Sequence, residues 1–146
     1  MNGRVLIVDG HSIIFAWPEL RLVHLRKDFS LARQMLVKVL TDYQDYTGVH
    51  VVAVFDGQGV AAAESPEPAG IQVFYSGTGQ TADDVIERLV AKYGQRKDIT
   101  VATSDMLEQQ TASSFGAMCV SAQGLKGMVE EARADFERTL KSHAPR

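Results

Sequence analysis

The chain has 146 residues and a formal net charge of −3, with 45% hydrophobic and 23% charged residues. These values are typical of one globular domain, and they exclude a disordered chain, a collagen-like repeat and a protein that coats nucleic acid through a broadly basic surface. The one cysteine excludes an intramolecular disulfide, and no apolar run reaches the ~18–20 residues of a membrane span.

Short apolar runs predict five strands. They are Arg4–Val8, Val49–Phe55, Ile71–Tyr75, Ile99–Ala102 and Ala117–Val120. The first two are continuous β-branched runs without alternation, which is typical of strands covered on both faces of a parallel sheet. The N-terminus carries no signal-peptide pattern, so we expect a cytoplasmic protein.

Helical periodicity predicts four helices, each following a strand or a loop. Their predicted spans are Ser30–Gly48, Thr81–Tyr93, Asp105–Phe115 and Ser121–Leu140. Strands that alternate with helices predict one α/β domain over residues 1–141, followed by a frayed tail at 142–146. The segment Gly57–Gly70 contains Pro66 and Pro68 and is predicted to be a long surface loop.

Aspartates lie where the predicted strands end. Asp9 and Asp56 end the first two strands, Asp83 and Asp84 follow the third, and Asp105 follows the fourth. Because parallel strands end at one edge of a sheet, we expect these acids to share a site. Clustered carboxylates raise each other's pKa unless a cation neutralises them, and oxygen ligands favour Mg²⁺ or Mn²⁺ over Zn²⁺.

Each acid also has a purely structural interpretation. Thr81 and Asp84 fit a capping box, and Asp83 would interact favourably with the helix dipole. Asp105 and Glu108 resemble a second cap pair. The coincidence of four strand-end acids nevertheless favours a shared site over separate caps.

Four ordered segments resemble the YacP-like branch of the NYN domains, which belong to the PIN-like nucleases. They are VLIVDGHSIIFAWPEL, LTDYQDYTGVHVVAVFDG, TADDVIERLV and VATSDMLEQ, and they span about Arg4 to Leu125. The resemblance implies a three-layer α/β/α sandwich with a parallel sheet of about five strands in the order 3-2-1-4-5. It also implies a metal-dependent endoribonuclease in RNA decay, for which mRNA on the ribosome is one substrate setting.

The family's acidic site carries over onto Asp9, Asp56, Asp83 and Asp105. In the implied strand order, Asp9 and Asp105 flank the crevice where the order reverses, so we predict them as the principal ligands of Mg²⁺ or Mn²⁺. Asp83 is predicted as a further ligand or as the group that orients the attacking water. Asp56 is predicted as an outer ligand.

One position departs from the family pattern. The family has Gly-Tyr-Asn after the first Asp, and this chain has Gly10-His11-Ser12. Ser12 keeps a hydroxyl that can contact substrate, but it lacks the two N–H donors of an amide. A non-catalytic RNA-binding module of the same fold therefore remains an alternative.

Further substrate contacts are predicted outside the acidic site. Arg21, Arg26 and Lys27 form the densest basic stretch and are expected to hold an RNA backbone, with a solvated helix face as the alternative. Thr103 and Ser104 are expected to hold a metal-bound water or a phosphate oxygen, and the Ser104 hydroxyl fits a helix cap equally well.

Two ring side chains near the first strand have open roles. Trp17 is expected either to stack on a base or to be buried against the first helix, and His11 either to contact phosphate or to be an ordinary loop residue.

Overall fold

The computed structural model describes residues 3–57, 63–64, 70–77, 79–94 and 98–142. Its strands are β1 (Arg4–Asp9), β2 (His50–Phe55), β3 (Ala63–Glu64), β4 (Gln72–Tyr75), β5 (Asp98–Ala102) and β6 (Met118–Val120). Its helices are α1 (Gly10–Ala16), α2 (Pro18–Leu25), α3 (Phe29–Thr47), α4 (Ala82–Tyr93), α5 (Met106–Ser114) and α6 (Ala122–Ser142).

The strands form one sheet in the order β3-β4-β2-β1-β5-β6. All neighbouring pairs are parallel except β3 and β4. Among the five predicted strands the order is therefore 3-2-1-4-5, as the resemblance implied. β3 was not predicted, because two residues are too few to show an alternating pattern. It lies within the segment predicted to be a loop, whose residues 58–62 and 65–69 are outside the described residues.

Both faces of the sheet are covered by helices, because successive residues of the central strands point to opposite faces and are apolar on both. Leu6 and Val8 of β1 contribute to a core shared with α1, α2, α3 and α6. Val5 and Ile7 contribute to the opposite core, shared with α4 and α5. The predicted three-layer α/β/α sandwich is confirmed. Among the helices in the described ranges, none is long and apolar enough to cross a membrane.

Helices α1 and α2 were not predicted, because seven and eight residues are too few to establish a period. Asp9 is the N-cap of α1, and Pro18 provides the first residue of α2. Trp17 joins the two helices, is buried, and donates from Nε1 to the carbonyl oxygen of Ala122 at 2.9 Å. Its burial is thus confirmed, and a role in stacking on a base is wrong.

The other helix ends lie close to their predicted positions. Asp28, and not Ser30, is the N-cap of α3, whose C-terminal Gly48 adopts φ 76°. The capping box of Thr81 and Asp84 on α4 is confirmed. Helix α6 continues to Ser142, which was assigned to the tail; residues 143–146 are outside the described residues.

Candidate active site

The strand-end acids converge on one cavity. Asp9 is the last residue of β1, and Asp105 follows the adjacent strand β5 by three residues. Asp56 follows β2 directly, and Asp83 lies in the first turn of α4. All four line a cavity of about 490 Å³ at the carboxyl edge of the sheet. The topology therefore brings together acids that are up to 96 positions apart in the chain.

Three carboxylates within this region form a tighter group. Asp9, Asp83 and Glu108 each offer one oxygen, and these oxygens all lie within 4.8 Å of one another. Asp9 and Glu108 are buried, and Asp83 is half-buried. This spacing is compatible with one divalent cation bridging the three side chains.

Glu108 was not predicted as a site residue. In the interpretation as a cap pair, the Glu108 side chain accepts a hydrogen bond from the backbone N–H of Asp105. In the structure that N–H donates instead to Thr103 Oγ1 at 3.1 Å, so the Glu108 side chain is free to turn inward. A glutamate one turn after a strand-end acid was the only signal in the sequence.

Asp105 lies at the exposed rim of the cavity, outside the group of three. Its Oδ1 accepts hydrogen bonds from the backbone N–H groups of Leu107 at 2.9 Å and Glu108 at 3.4 Å. Asp105 is thus confirmed as the cap of α5, whereas Glu108 is not its partner in a cap pair. Glu108 therefore stands in the group where Asp105 was expected.

Asp56 connects the end of β2 to the start of α4. Its Oδ1 accepts from the backbone N–H of Ala82 at 2.9 Å and from Ser76 Oγ at 3.3 Å. Because Asp83 is the next residue after Ala82, this contact holds the backbone of the helical turn that carries Asp83. Asp56 does not belong to the group of three oxygens, and its role as an outer ligand stays a prediction.

Thr103 holds Asp9 in place from beneath the cavity. Its Oγ1 donates to Asp9 Oδ2 at 3.0 Å, and its carbonyl oxygen accepts from Gln109 Nε2 at 2.8 Å. Thr103 has no exposed surface. Thr103 is a positioning residue for Asp9 in this structure, and its contact with a phosphate oxygen or a metal-bound water stays a prediction.

Two serine hydroxyls face the cavity. Ser12 Oγ accepts from the backbone N–H of Ser104 at 2.6 Å, and the two hydroxyls are hydrogen-bonded to each other. This pair joins α1 to the loop after β5. Since Asp105 is the N-cap of α5, Ser104 does not cap that helix, and its hydroxyl remains at the cavity surface.

Burial and repulsion alter the proton affinity of the group. Burial is the main cause that raises the pKa of Asp9 above its ordinary value, and repulsion from Asp83 adds to it. The pKa of Glu108 rises to about 11, through burial first and then through a hydrogen bond to Asp83 and the charge of Asp9. The prediction that neighbours raise at least one pKa is confirmed, although burial contributes more.

The group lacks a hydrogen-bond donor for one of its oxygens. When a cation displaces the proton of Glu108 and its carboxylate is ionised, the buried Oε1 accepts no hydrogen bond from any described residue. A buried acceptor without a partner costs about 1–3 kcal/mol, and more when it is charged. A divalent cation would satisfy this oxygen and neutralise the three charges together, so the residues present fit a hard metal ion.

The three residues predicted to hold an RNA backbone do not line the cavity. Arg21 is exposed on α2, and Arg26 and Lys27 are exposed directly after that helix. Lys27 adopts φ 63° in the tight connection to α3. α2 follows α1, whose residues His11 and Phe15 do line the cavity.

We expect Gly10→Ala to destabilise the protein by about 1–3 kcal/mol, because it overpacks a rigid contact. A Cβ at Gly10 would overlap the ring of Phe55, which is buried at the end of β2. Urea denaturation measures the change. Gly127→Ala in α6 is the matched control, because a Cβ there meets nothing within 4 Å. That control should be neutral or stabilising by up to about 1 kcal/mol, and an equal loss in both variants would contradict the packing argument.

We expect Thr103→Val to raise the pKa of Asp9 further, because the hydroxyl that stabilises its carboxylate is removed. Because the buried Asp9 carboxylate loses this donor, Thr103→Val should also lower the free energy of unfolding by about 1–3 kcal/mol. An NMR titration of the Asp9 carboxyl carbon measures the pKa. Thr103→Ser keeps the donor and should leave that pKa near the parent's; an unchanged pKa in Thr103→Val would show that the hydroxyl does not act on Asp9.

Comparison with known proteins shows the family of this chain. A family model described as the YacP-like NYN domain matches residues 6–146. Over 139 residues the chain is 34% identical to the uncharacterized protein YacP of Bacillus subtilis (strain 168). The matched region covers 94% of this chain and 81% of that protein.

Solved structures of that relative have the same fold. A crystal structure of a mutant form of Rae1 (YacP) from Bacillus subtilis superimposes with a TM-score of 0.81 at 33% identity, over 97% of this chain and 83% of that one. A second crystal structure of Rae1 (YacP) gives a TM-score of 0.78, also at 33% identity, over 94% and 80% of the two chains.

Proposed function

Because this chain belongs to the YacP-like NYN domain family, whose fold is that of PIN-like nucleases, we propose that it is a metal-dependent endoribonuclease. The reaction would be hydrolysis of RNA phosphodiester bonds in the cavity beside Asp9. The observation that carries the proposal is the group of Asp9, Asp83 and Glu108, because three carboxylates within 4.8 Å in a partly buried site fit a bound cation.

The group would hold Mg²⁺ or Mn²⁺, since all three donors are hard oxygens. When bound, such an ion supplies charge neutralisation for the phosphate and a more acidic water. Asp9 is the central ligand in this proposal, because Thr103 fixes its orientation from below. Glu108 takes the ligand role that the sequence suggested for Asp105.

The remaining cavity residues would bind and orient the substrate. The Ser12 and Ser104 hydroxyls face the cavity, and whichever of them does not donate to the other can donate to a phosphate oxygen. Asp105 at the rim would accept the proton of the attacking water, because a carboxylate there is reachable from solvent. Asp56 would act through α4 by keeping Asp83 in place.

The proposed substrate is mRNA, with the ribosome as the setting in the cytoplasm. Arg21, Arg26 and Lys27 are exposed on and directly after α2, and they would contact the RNA backbone. The overall charge of −3 disfavours tight binding of free RNA without a partner, since nonspecific affinity comes from neutralised phosphates. If a ribosome presents the mRNA strand, the protein does not need to bind free RNA tightly.

A non-catalytic RNA-binding module is the second candidate, and Ser12 is the observation that favours it. An amide at this position could donate two hydrogen bonds into the cavity, and the Ser12 hydroxyl is already bonded to Ser104. This candidate predicts RNA binding without turnover.

The deciding experiment incubates the purified chain with RNA in Mn²⁺ or Mg²⁺, with and without ribosomes, and repeats each reaction in EDTA. We expect cleavage that requires the metal. Binding without metal-dependent cleavage in either setting would contradict the nuclease proposal and support the binding module.

A further inference from the structure

Four ring side chains form a row that leads away from the acidic cavity. His11 and Phe15 lie one turn apart on α1, and both line the cavity. His24, in the last turn of α2, contacts Phe15 with ring centroids 4.6 Å apart, and it contacts Phe29 at the start of α3 at the same distance. We call these four side chains the ring row.

The ring row is open to solvent on one side. Phe15 and Phe29 are each 40% exposed, although both are large apolar side chains. Neighbouring rings meet at interplanar angles of 67° between His11 and Phe15, 64° between Phe15 and His24, and 51° between His24 and Phe29. These are edge-to-face and tilted contacts, so the four rings are not stacked face to face on one another. Single exposed apolar residues are ordinary, but a continuous row that begins inside a cavity favours a binding surface.

The chain around the ring row is locally basic. Residues 20–34 contain four cationic side chains and one carboxylate, whereas the whole chain carries a net charge of −3. That carboxylate belongs to Asp28, and its Oδ1 accepts from the backbone N–H of Leu31 as the cap of α3. The four cations are Arg21, Arg26, Lys27 and Arg33. Rings beside cations are complementary to a ligand with flat apolar faces joined by negative charges.

The charge state of His24 suits this role. Burial lowers the pKa of His24 below its ordinary value, and the charges of His11 and Arg33 lower it further. The ring is therefore neutral at neutral pH and contributes an aromatic surface between Phe15 and Phe29.

We propose that the ring row binds unpaired nucleotides of a single-stranded RNA next to the bond held in the cavity, with bases stacked on Phe15 and Phe29. This inference rests on the proposed nuclease function and specifies the form of its substrate. Bases stack on aromatic rings with little dependence on sequence, and only unpaired bases can reach them. The cations around the row would contact the connecting phosphates.

The test measures binding of a fluorescently labelled, unstructured oligoribonucleotide by anisotropy, with EDTA present so that no metal-dependent cleavage competes. We expect Phe15→Leu and Phe29→Leu each to weaken binding by about 5- to 100-fold, the effect of one lost stack. Leucine keeps an apolar side chain at each position, and thermal unfolding verifies that the variants are folded. Phe29→Trp keeps a ring and should bind like the parent.

Phe115→Leu is the matched control, because Phe115 is 52% exposed at the C-terminal end of α5, away from the cavity. It should bind like the parent. A blunt RNA duplex of the same sequence should bind more weakly than the single strand. The leucine variants should bind this duplex like the parent.

Two results would overturn the inference. One is parent-like binding of the single strand by both leucine variants, and the other is a loss of duplex binding in these variants as large as their loss of single-strand binding. Cleavage by the parent in Mn²⁺ is scored separately. If the parent cleaves RNA while the leucine variants bind like the parent, the inference fails and the nuclease proposal stands. If the parent never cleaves but the leucine variants lose single-strand binding, the nuclease proposal fails and the binding surface is supported.

Discussion

Asp9→Asn will reduce metal-dependent RNA cleavage by at least about 100-fold, a loss typical of removing one electrostatic contact that is essential to the transition state. Asp9 supplies a buried oxygen to the group that is proposed to hold the cation. Asparagine keeps the shape of the side chain and remains a good N-cap for α1, so the fold should survive. Initial cleavage rates across a Mn²⁺ titration measure the effect.

Asp98→Asn is the control for that experiment. Asp98 is an exposed carboxylate at the first residue of β5, at the opposite edge of the sheet from the cavity. The Asp98→Asn variant should cleave RNA at the rate of the parent. RNA binding by Asp9→Asn should be retained, because one charge that repels phosphate is gone. If Asp9→Asn cleaves as fast as the parent at saturating Mn²⁺, the proposed metal site is wrong.

The fold was predictable because its information is local. Apolar runs such as Arg4–Val8 marked buried strands, and alternating helices implied the parallel sheet. The location of the site followed from topology, since acids at strand ends meet at one edge. The 3-2-1-4-5 order came from the family resemblance, because apolar patterns do not specify which strands are neighbours.

The details of the site depended on contacts that no pattern reveals. Glu108 turns inward while Thr103 accepts the hydrogen bond from the backbone N–H of Asp105, and this arrangement depends on the course of the loop after β5. Trp17 could not be placed because its partner, the carbonyl of Ala122, lies 105 residues away. Such long-range hydrogen bonds are decided by packing, after the elements have formed.

Glu108→Gln should stabilise the metal-free protein by at least about 1 kcal/mol near pH 8, which corresponds to roughly 2–4 °C in Tm. The pKa of Glu108 is raised from its ordinary value of 4.5 to about 11 in the folded protein. Between these values the folded state binds a proton that the unfolded state releases. The stability of the parent therefore falls as pH rises through this window. Glutamine stays neutral, so its advantage over the parent should grow with pH and vanish near pH 4.

The same substitution should remove the stabilisation that a cation provides. Mn²⁺ at 100 times its Kd stabilises a binding protein by about 2.7 kcal/mol, and Glu108→Gln lacks one of the three proposed ligands. Thermal unfolding with and without Mn²⁺ measures both effects. Glu87→Gln, at an exposed position of α4, is the control and should behave like the parent in both conditions. If Mn²⁺ raises the Tm of Glu108→Gln as much as that of the parent, Glu108 is not a ligand of the cation.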